Sequence, residues 1–244
     1  MDSNSPRILA TTADLIALDK PSGLITHGDG RTREPSVAKW LIENFPEQAA
    51  VGEPWISPQG ERIAVAGLVH RLDRATSGVL IAARTPAMYA HLKGEFKAHR
   101  VEKKYLTYVY GRMEGESGRI VAEIMRSSEI PRRWYAEDCG EQNKRAAITD
   151  WRLIKNFPDA AFLELSPRTG RTHQLRVHLA HIGRPIVADH LYAPERAPVL
   201  GFKRLALHAS TISFTLPMGE RATFSAPLPA DLVRAESELT NWPV

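Results

Sequence analysis

The stretch His70-Arg71-Leu72-Asp73-Arg74-Ala75-Thr76-Ser77-Gly78 sets one carboxylate between two arginines. Positive charge on both sides favours the ionised form of Asp73. An ionised carboxylate serves as nucleophile, general base, metal ligand or the acidic half of an ion pair that braces a loop. Metal binding is poorly supported, because no second Asp, Glu or Cys lies close in sequence and the flanking charges are cations. A serine hydrolase built on Ser77 also fails locally. No G-x-S-x-G elbow surrounds it, and His70, Asp73 and Ser77 on one short loop do not reach triad geometry.

A second group is Thr169-Gly170-Arg171-Thr172-His173-Gln174-Leu175-Arg176-Val177-His178. With a helix starting at Thr172, Leu175, Leu179 and Ile182 form its buried stripe. His173 and Arg176 then share a turn near the positive end of the helix dipole, which suits an anion. His173 and His178 lie about 140° apart around such a helix, so His173, His178 and His181 do not converge on zinc, and solvated or hydrogen-bonded histidines are the plainer reading. A third group is Tyr105, Tyr108 and Tyr110 beside Lys103 and Lys104. Rings next to cations stack on unpaired bases while the cations meet phosphates; the other use of aromatic residues in a strand is to fill a core.

These groups sit in a chain of 244 residues with 43% hydrophobic and 25% charged residues and a net charge of +4. That composition excludes disorder, collagen-like repeats and long coiled coil. The charge is concentrated. Residues 166–184 hold four Arg and three His with no Asp or Glu, and residues 93–104 hold five Lys/Arg against two Glu, whereas residues 1–36 and 217–244 are net acidic. A basic zone on a balanced chain is the footprint of a polyanion partner, nucleic acid being the commonest, or else a solvated basic face. Cys139 is the one cysteine, which excludes an internal disulfide and an all-cysteine zinc site and fits a reducing compartment. Apolar runs such as Val79–Ala83 are too short to span a bilayer, and the N-terminus lacks the order of a signal peptide, so a soluble cytoplasmic protein is expected.

The elements that must position the three groups follow from periodicity. Residues 13–18 read as a strand closed by the turn Asp19-Lys20-Pro21-Ser22-Gly23, and Val37, Trp40 and Leu41 mark a helix over 36–44. Residues 46–62, with three Pro and two Gly, read as a loop. VAGLVH (65–70) and GVLIAAR (78–84) read as two strands that bracket the Asp73 loop. Thr85 and Pro86 open a helix carrying Met88, Leu92 and Phe96 and ending near His99. KKYLTYVYG (103–111) alternates like a strand. Residues 112–145 give no clear pattern. AITDWRLI and AFLELS pair through the turn NFPD, a helix runs from about Thr172 to Ile182, and RLALHASTISFTLP with RATFSAPLP makes a closing hairpin. Hairpins without a regular βαβ alternation predict an α+β fold on a mainly antiparallel mixed sheet, with residues 1–244 as a single domain.

In this order the pieces resemble the RluA-type family of RNA pseudouridine synthases, from Leu15 to Pro229. LIALDKPSGLITH (15–27) resembles the family's opening strand and lysine-proline-glycine turn, and HRLDRATSGVLIAAR (70–84) its signature around the catalytic aspartate. KKYLTYVYG resembles the strand with an active-site tyrosine, LSPRTGRTHQLRVHLAHIGRPIVADHLY (165–192) the block with an active-site arginine, and LALHASTISF with FSAPLP the C-terminal strands. The resemblance implies a sheet divided by a central basic cleft and a cofactor-free isomerisation of uridine in ribosomal RNA first, transfer RNA second. It also implies a monomer with neither metal nor membrane partner. Residue by residue it makes Asp73 catalytic, Arg71 the side chain inserted where the target uridine leaves the stack, Tyr105 the ring packing on the uracil, and Arg176 the partner of the aspartate. A base that must leave its stack costs a few kcal/mol and calls for such a filler, and Arg both stacks and binds phosphate.

Two departures bear on substrate choice. The first core strand begins almost at once, so the N-terminal RNA-binding module of some relatives is not expected, and PIVADHLYAP lacks the glycines expected before Asp189 and after Tyr192. Two rival functions remain at this level: an RNA-binding ribosome-assembly factor whose role does not need catalysis, and a hydrolase using Ser77 or a metal.

Overall fold

A computed structural model describes residues 4–28, 34–57, 59–130, 133–143 and 145–240, with side chains up to residue 235 in the last helix. The chain forms two compact units, Met1–Glu102 with Ala209–Pro227 and Lys103–His208 with Leu228–Val244. The α+β class with mainly antiparallel strands is the one the chain adopts.

In the first unit, β1 (Arg7–Thr11) pairs antiparallel with β2 (Leu15–Lys20). A helix α1 (Val37–Asn44) follows, capped by Ser36, whose Oγ accepts the Lys39 N–H, and it buries Val37, Ala38 and Leu41. The expected loop over 46–62 holds a 3-10 turn (Pro46–Ala50) and a ribbon of β3 (Trp55–Ile56) and β4 (Arg62–Ile63); Pro58 in that stretch lies outside the described residues. Next comes β5 (Ser77–Ala83), buried at every position like β2, against which it runs antiparallel from Leu15↔Ala83 to Lys20↔Gly78. Strands buried on both faces read as unbroken apolar runs, which is why IAL and VLIAA were visible in the sequence. The helix α2 (Pro86–Lys97) starts where expected, with Thr85 Oγ1 accepting the Met88 N–H and Pro86 in the first turn.

The strand expected at 65–70 does not form. Ala66 and Gly67 both have positive φ, 51° and 73°, which breaks the extended run. The Gly67 N–H donates to Val51 O and its carbonyl accepts the Ala83 N–H. A Cβ at Gly67 would overlap the Ala83 carbonyl, so this turn closes only with glycine.

The second unit opens with β6 (Glu102–Tyr110) and continues with β7 (Ser117–Arg126), β8 (Trp134–Asp138), β9 (Ala146–Asn156) and β10 (Ala160–Pro167), ordered β6-β10-β9-β7-β8 and antiparallel throughout. Its core centres on Tyr108, fully buried and stacked on Phe162 at 4.5 Å, with Phe157 and Phe202 beside it. The helix α3 (Gln174–His181) begins two residues later than expected, because His173 adopts a left-handed conformation with φ 56°. It buries Leu175 and Leu179, but Ile182 is 36% exposed, so the expected stripe is one residue shorter. β11 (Leu207–Thr215) and β12 (Arg221–Ser225), which from Ala209 onward belong to the first unit, form the expected hairpin, and in the second unit α4 (Ala230–Thr240) is held by ion pairing of Arg204 with Asp231 and by Tyr108 Oη donating to Leu232 O.

Candidate active site

Lys20 ends β2 and pairs with Gly78 near the start of β5, so the segment 21–27 and the loop 70–76 leave the sheet at the same end. Five side-chain and backbone bonds then tie the two. Gly23 N–H donates to Arg74 O (2.8 Å), Lys20 Nζ to Arg74 O (3.2 Å) and Ser22 Oγ to Ala75 O (2.7 Å); Thr26 Oγ1 donates to Leu72 O (2.8 Å) and accepts the Leu72 N–H (3.1 Å). The lysine-proline-serine-glycine turn is thus the scaffold of the Asp73 loop. Gly78 closes the signature for a steric reason. Its φ is 117°, and a Cβ there would overlap the Ala209 carbonyl.

Held this way, Asp73 is half-buried, Arg71 is exposed, and Arg74 pairs with Glu34 at 2.6 Å. His70 is turned away from hydrolase chemistry: its Nε2 accepts the Ile81 N–H at 3.0 Å and its ring stacks on Phe96 at 4.8 Å. Ser77 is buried. His27, which the sequence reading passed over, lies beside this loop, and burial followed by the nearby Arg71 charge lowers its imidazole from 6.5 to about 4.

Lys20 is fully buried and its ammonium also donates to Pro21 O (2.8 Å) and Leu24 O (2.7 Å). Replacing it leaves three carbonyls without that donor, each worth about 1 kcal/mol or more when buried. Lys20→Met is therefore expected to cost about 3 kcal/mol and lower the melting temperature by about 6–12 °C in a thermal denaturation scan. A change of under 2 °C would show that the ammonium does not hold the turn.

In the second unit, three tyrosines separate by burial. Tyr108 and Tyr110 point into the core, with Tyr110 Oη donating to Ala197 O at 3.0 Å, while Tyr105 is half-exposed on the alternate face of β6. Arg176 is buried on α3 and makes a bidentate pair with Asp189, Nε to Oδ2 at 2.8 Å and Nη2 to Oδ1 at 2.7 Å. The anion that the start of the helix was expected to meet is, for this arginine, a carboxylate 13 residues on. Asp189 Oδ1 also accepts the Leu191 and Tyr192 N–H groups. Ala188, at the position where a glycine was expected, keeps the left-handed φ of 56° that glycine would favour, so the loop holds its course without it.

The basic stretch 166–184 is partly compensated by acids outside it. Arg168 pairs with Asp150 at 2.6 Å and Arg176 with Asp189. The three histidines go to separate partners: His173 Nδ1 meets Tyr192 Oη (2.9 Å), His178 Nδ1 meets Thr149 Oγ1 (3.0 Å) and His181 Nε2 meets Asp138 (2.8 Å). Among the described residues no group of three His, Cys, Asp or Glu is placed to hold a metal ion.

His178 is fully buried, and burial, then His181, lowers it from 6.5 to about 4. The unfolded chain takes up this proton near 6.5 and the folded chain resists it until about 4. The stability that His178 contributes is therefore present above pH 6.5 and lost as the pH falls towards 4. Urea unfolding is expected to show a loss to which His178 and the similarly lowered His27 each contribute about 3 kcal/mol over this window, and His178→Gln should remove about half of it. An unchanged slope in that variant would assign the loss to other groups.

The sequence matches the family described as RNA pseudouridylate synthase over residues 14–181. It is 37% identical over 237 residues to a protein of Xanthomonas campestris named ribosomal large subunit pseudouridine synthase D, covering 92% of this chain and 66% of the relative. It is 38% identical over 215 residues to an uncharacterized RNA pseudouridine synthase of Chloroflexus aurantiacus, covering 88% and 63%. This chain thus spans about two thirds of the length of these curated relatives. Among solved structures, human RNA Pseudouridylate Synthase Domain Containing 1 superposes with a TM-score of 0.70 at 25% identity, over 94% of this chain and 86% of the other. No helix among the described residues is long and apolar enough to cross a membrane. With the signature loop, the strand tyrosine and the arginine helix all falling within or beside the matched span, the chain belongs to the RNA pseudouridylate synthase family.

Proposed function

We propose that this protein converts uridine to pseudouridine in RNA, with large-subunit ribosomal RNA as the first candidate substrate and transfer RNA as the second, its two units acting together as one catalytic domain. The observation that carries the reading is the loop 70–78, fixed by Lys20, Ser22, Gly23 and Thr26 while Asp73 and Arg71 stay accessible to solvent. The ribosomal preference rests on the names of relatives such as the Xanthomonas protein.

The reaction breaks the N1–C1′ bond, turns the base and joins C5 to C1′; the proton lost from C5 is balanced by one gained at N1. Asp73 supplies the anion. It attacks C1′ to form a glycosyl ester, or it removes the 2′ proton to give a glycal, and both routes end on the same product. Arg71 fills the gap left by the flipped base. Tyr105 packs on the detached uracil and assists removal of the C5 proton. Arg176 is the guanidinium that pairs with the aspartate, the role the resemblance implies for it.

Phosphate contacts dominate RNA affinity, so binding is expected to weaken about 20- to 150-fold between 50 and 200 mM salt if three or four phosphates are neutralised. Filter binding at several salt concentrations measures this, and a flat profile would argue against a phosphate-binding surface. The function itself is tested by mapping pseudouridines in total RNA from cells with and without the gene. Loss of defined large-subunit sites is expected. Loss confined to transfer RNA selects the second candidate, and no loss, or full rescue of the deletion by Asp73→Ala, would instead support an assembly factor that works without catalysis.

A further inference from the structure

Arg176 is held on more than its carboxylate side. Its guanidinium carbon lies 5.0 Å from the centre of the Tyr192 ring, so the same group is bound at one edge by Asp189 and covered by an aromatic face. Tyr192 is itself pinned at both ends. Its N–H donates to Asp189 Oδ1 at 3.1 Å, its hydroxyl oxygen accepts the Trp134 N–H of β8 at 3.1 Å, and the hydroxyl meets His173 Nδ1 at 2.9 Å. The His173 ring stands edge-on to the tyrosine, 5.8 Å between centres. His173 is the left-handed residue from which α3 starts, three positions before Arg176, so the tyrosine fixes both the arginine and the start of its helix. Tyr192 is 8% exposed.

A guanidinium has a planar fork whose orientation decides which donors remain for a substrate or a catalytic group. The carboxylate of Asp189 takes Nε and Nη2; it does not by itself fix the tilt of the plane. An aromatic face lying against the guanidinium does, provided the ring cannot swing. The two bonds to its hydroxyl come from separate elements, β8 and the residue that starts α3, and they remove that freedom. From this arrangement we infer that Tyr192 is a positioning residue for the isomerisation, acting through Arg176: it holds the guanidinium plane in the one orientation that serves the reacting aspartate and ribose. The inference rests on the proposed function above.

The expected signature is kinetic. Bulk RNA affinity comes from phosphate contacts, so a tilt of Arg176 leaves KM within about twofold and lowers kcat. Tyr192→Leu fills similar space without a ring and is expected to lower kcat about 100-fold, the upper range for loss of an orienting partner. Tyr192→Phe keeps the ring and loses only the hydroxyl bonds, so it should recover most of that loss and remain about 5- to 10-fold below wild type. A residue that only fills the core would behave differently: Leu would serve about as well as Phe, and any loss would follow the melting temperature.

The test is steady-state pseudouridine formation with the full chain and total RNA, alongside melting curves for both variants. Wild-type kcat in Tyr192→Leu, or equal losses in the two variants that track their melting temperatures, overturns the inference. Should Tyr192→Leu be unfolded at the assay temperature, Tyr192→Phe decides: reduced kcat at unchanged KM supports the inference, and wild-type kcat overturns it. Absence of pseudouridine with the wild-type chain would overturn the functional reading and this inference with it, whereas the variant outcomes bear on Tyr192 alone.

Discussion

Asp73→Asn is expected to abolish tritium release from RNA labelled at uracil C5, with a fall of at least about 10³-fold, while the variant stays folded. The change keeps the shape of the side chain and removes the anion on which both routes depend, and loss of the group that carries out the covalent step accounts for effects of this size. Asp73 is half-buried rather than a core residue, and its loop is held by bonds to the Leu72, Arg74 and Ala75 backbone in which the carboxylate takes no part. The stability cost should stay near 1 kcal/mol or below. Matching circular dichroism and RNA affinity alongside lost release would separate a chemical role from a structural one. Release at the wild-type rate would remove Asp73 from the mechanism.

Asp189→Ala should produce the largest change in stability. Arg176 would remain charged and buried with its bidentate partner gone, and the Leu191 and Tyr192 N–H groups would lose their acceptor. Breaking a buried pair from one side costs about 3–5 kcal/mol, which in a chain of this size lowers the melting temperature by about 6–20 °C. Asp189→Asn keeps an oxygen for the two N–H groups and should fall between. Turnover is expected to drop in both, further than stability alone explains, because the arginine loses its orientation. A melting temperature within 2 °C of wild type in Asp189→Ala would mean that the pair contributes little to the fold.

What the sequence disclosed divides along physical lines. The strands β2 and β5, the helices α1 and α2, and the β9–β10 and β11–β12 hairpins follow from signals within a few residues of each other: apolar runs, the i, i+3, i+4 spacing of Val37, Trp40 and Leu41, the Thr85 cap, the NFPD turn. The signature loop was legible because its scaffold, residues 20–26, carries its own turn chemistry. The strand expected at 65–70 was misread because an apolar run is ambiguous when Ala66 takes a left-handed backbone that nothing local announces. β7 was unreadable since its alternation is mixed, half-buried positions recurring on both faces, and β8 is short, with no fully buried position to mark a core face. The partners of Arg176 were missed for a different reason: a buried ion pair depends on which loop returns to the helix. One clue was available, since Asp189 is the first carboxylate after the acid-free stretch that contains Arg176. The tyrosines show the same limit, because only burial separates the core role of Tyr108 from the exposure of Tyr105.

The most direct measurement incubates the purified chain with uridine-containing ribosomal RNA in the presence of a chelator, digests the RNA to nucleosides and quantifies pseudouridine. The account predicts pseudouridine from the wild-type protein at unchanged RNA mass, and none from Asp73→Asn. RNA that is bound by the wild-type protein but still contains only uridine at every position would contradict it.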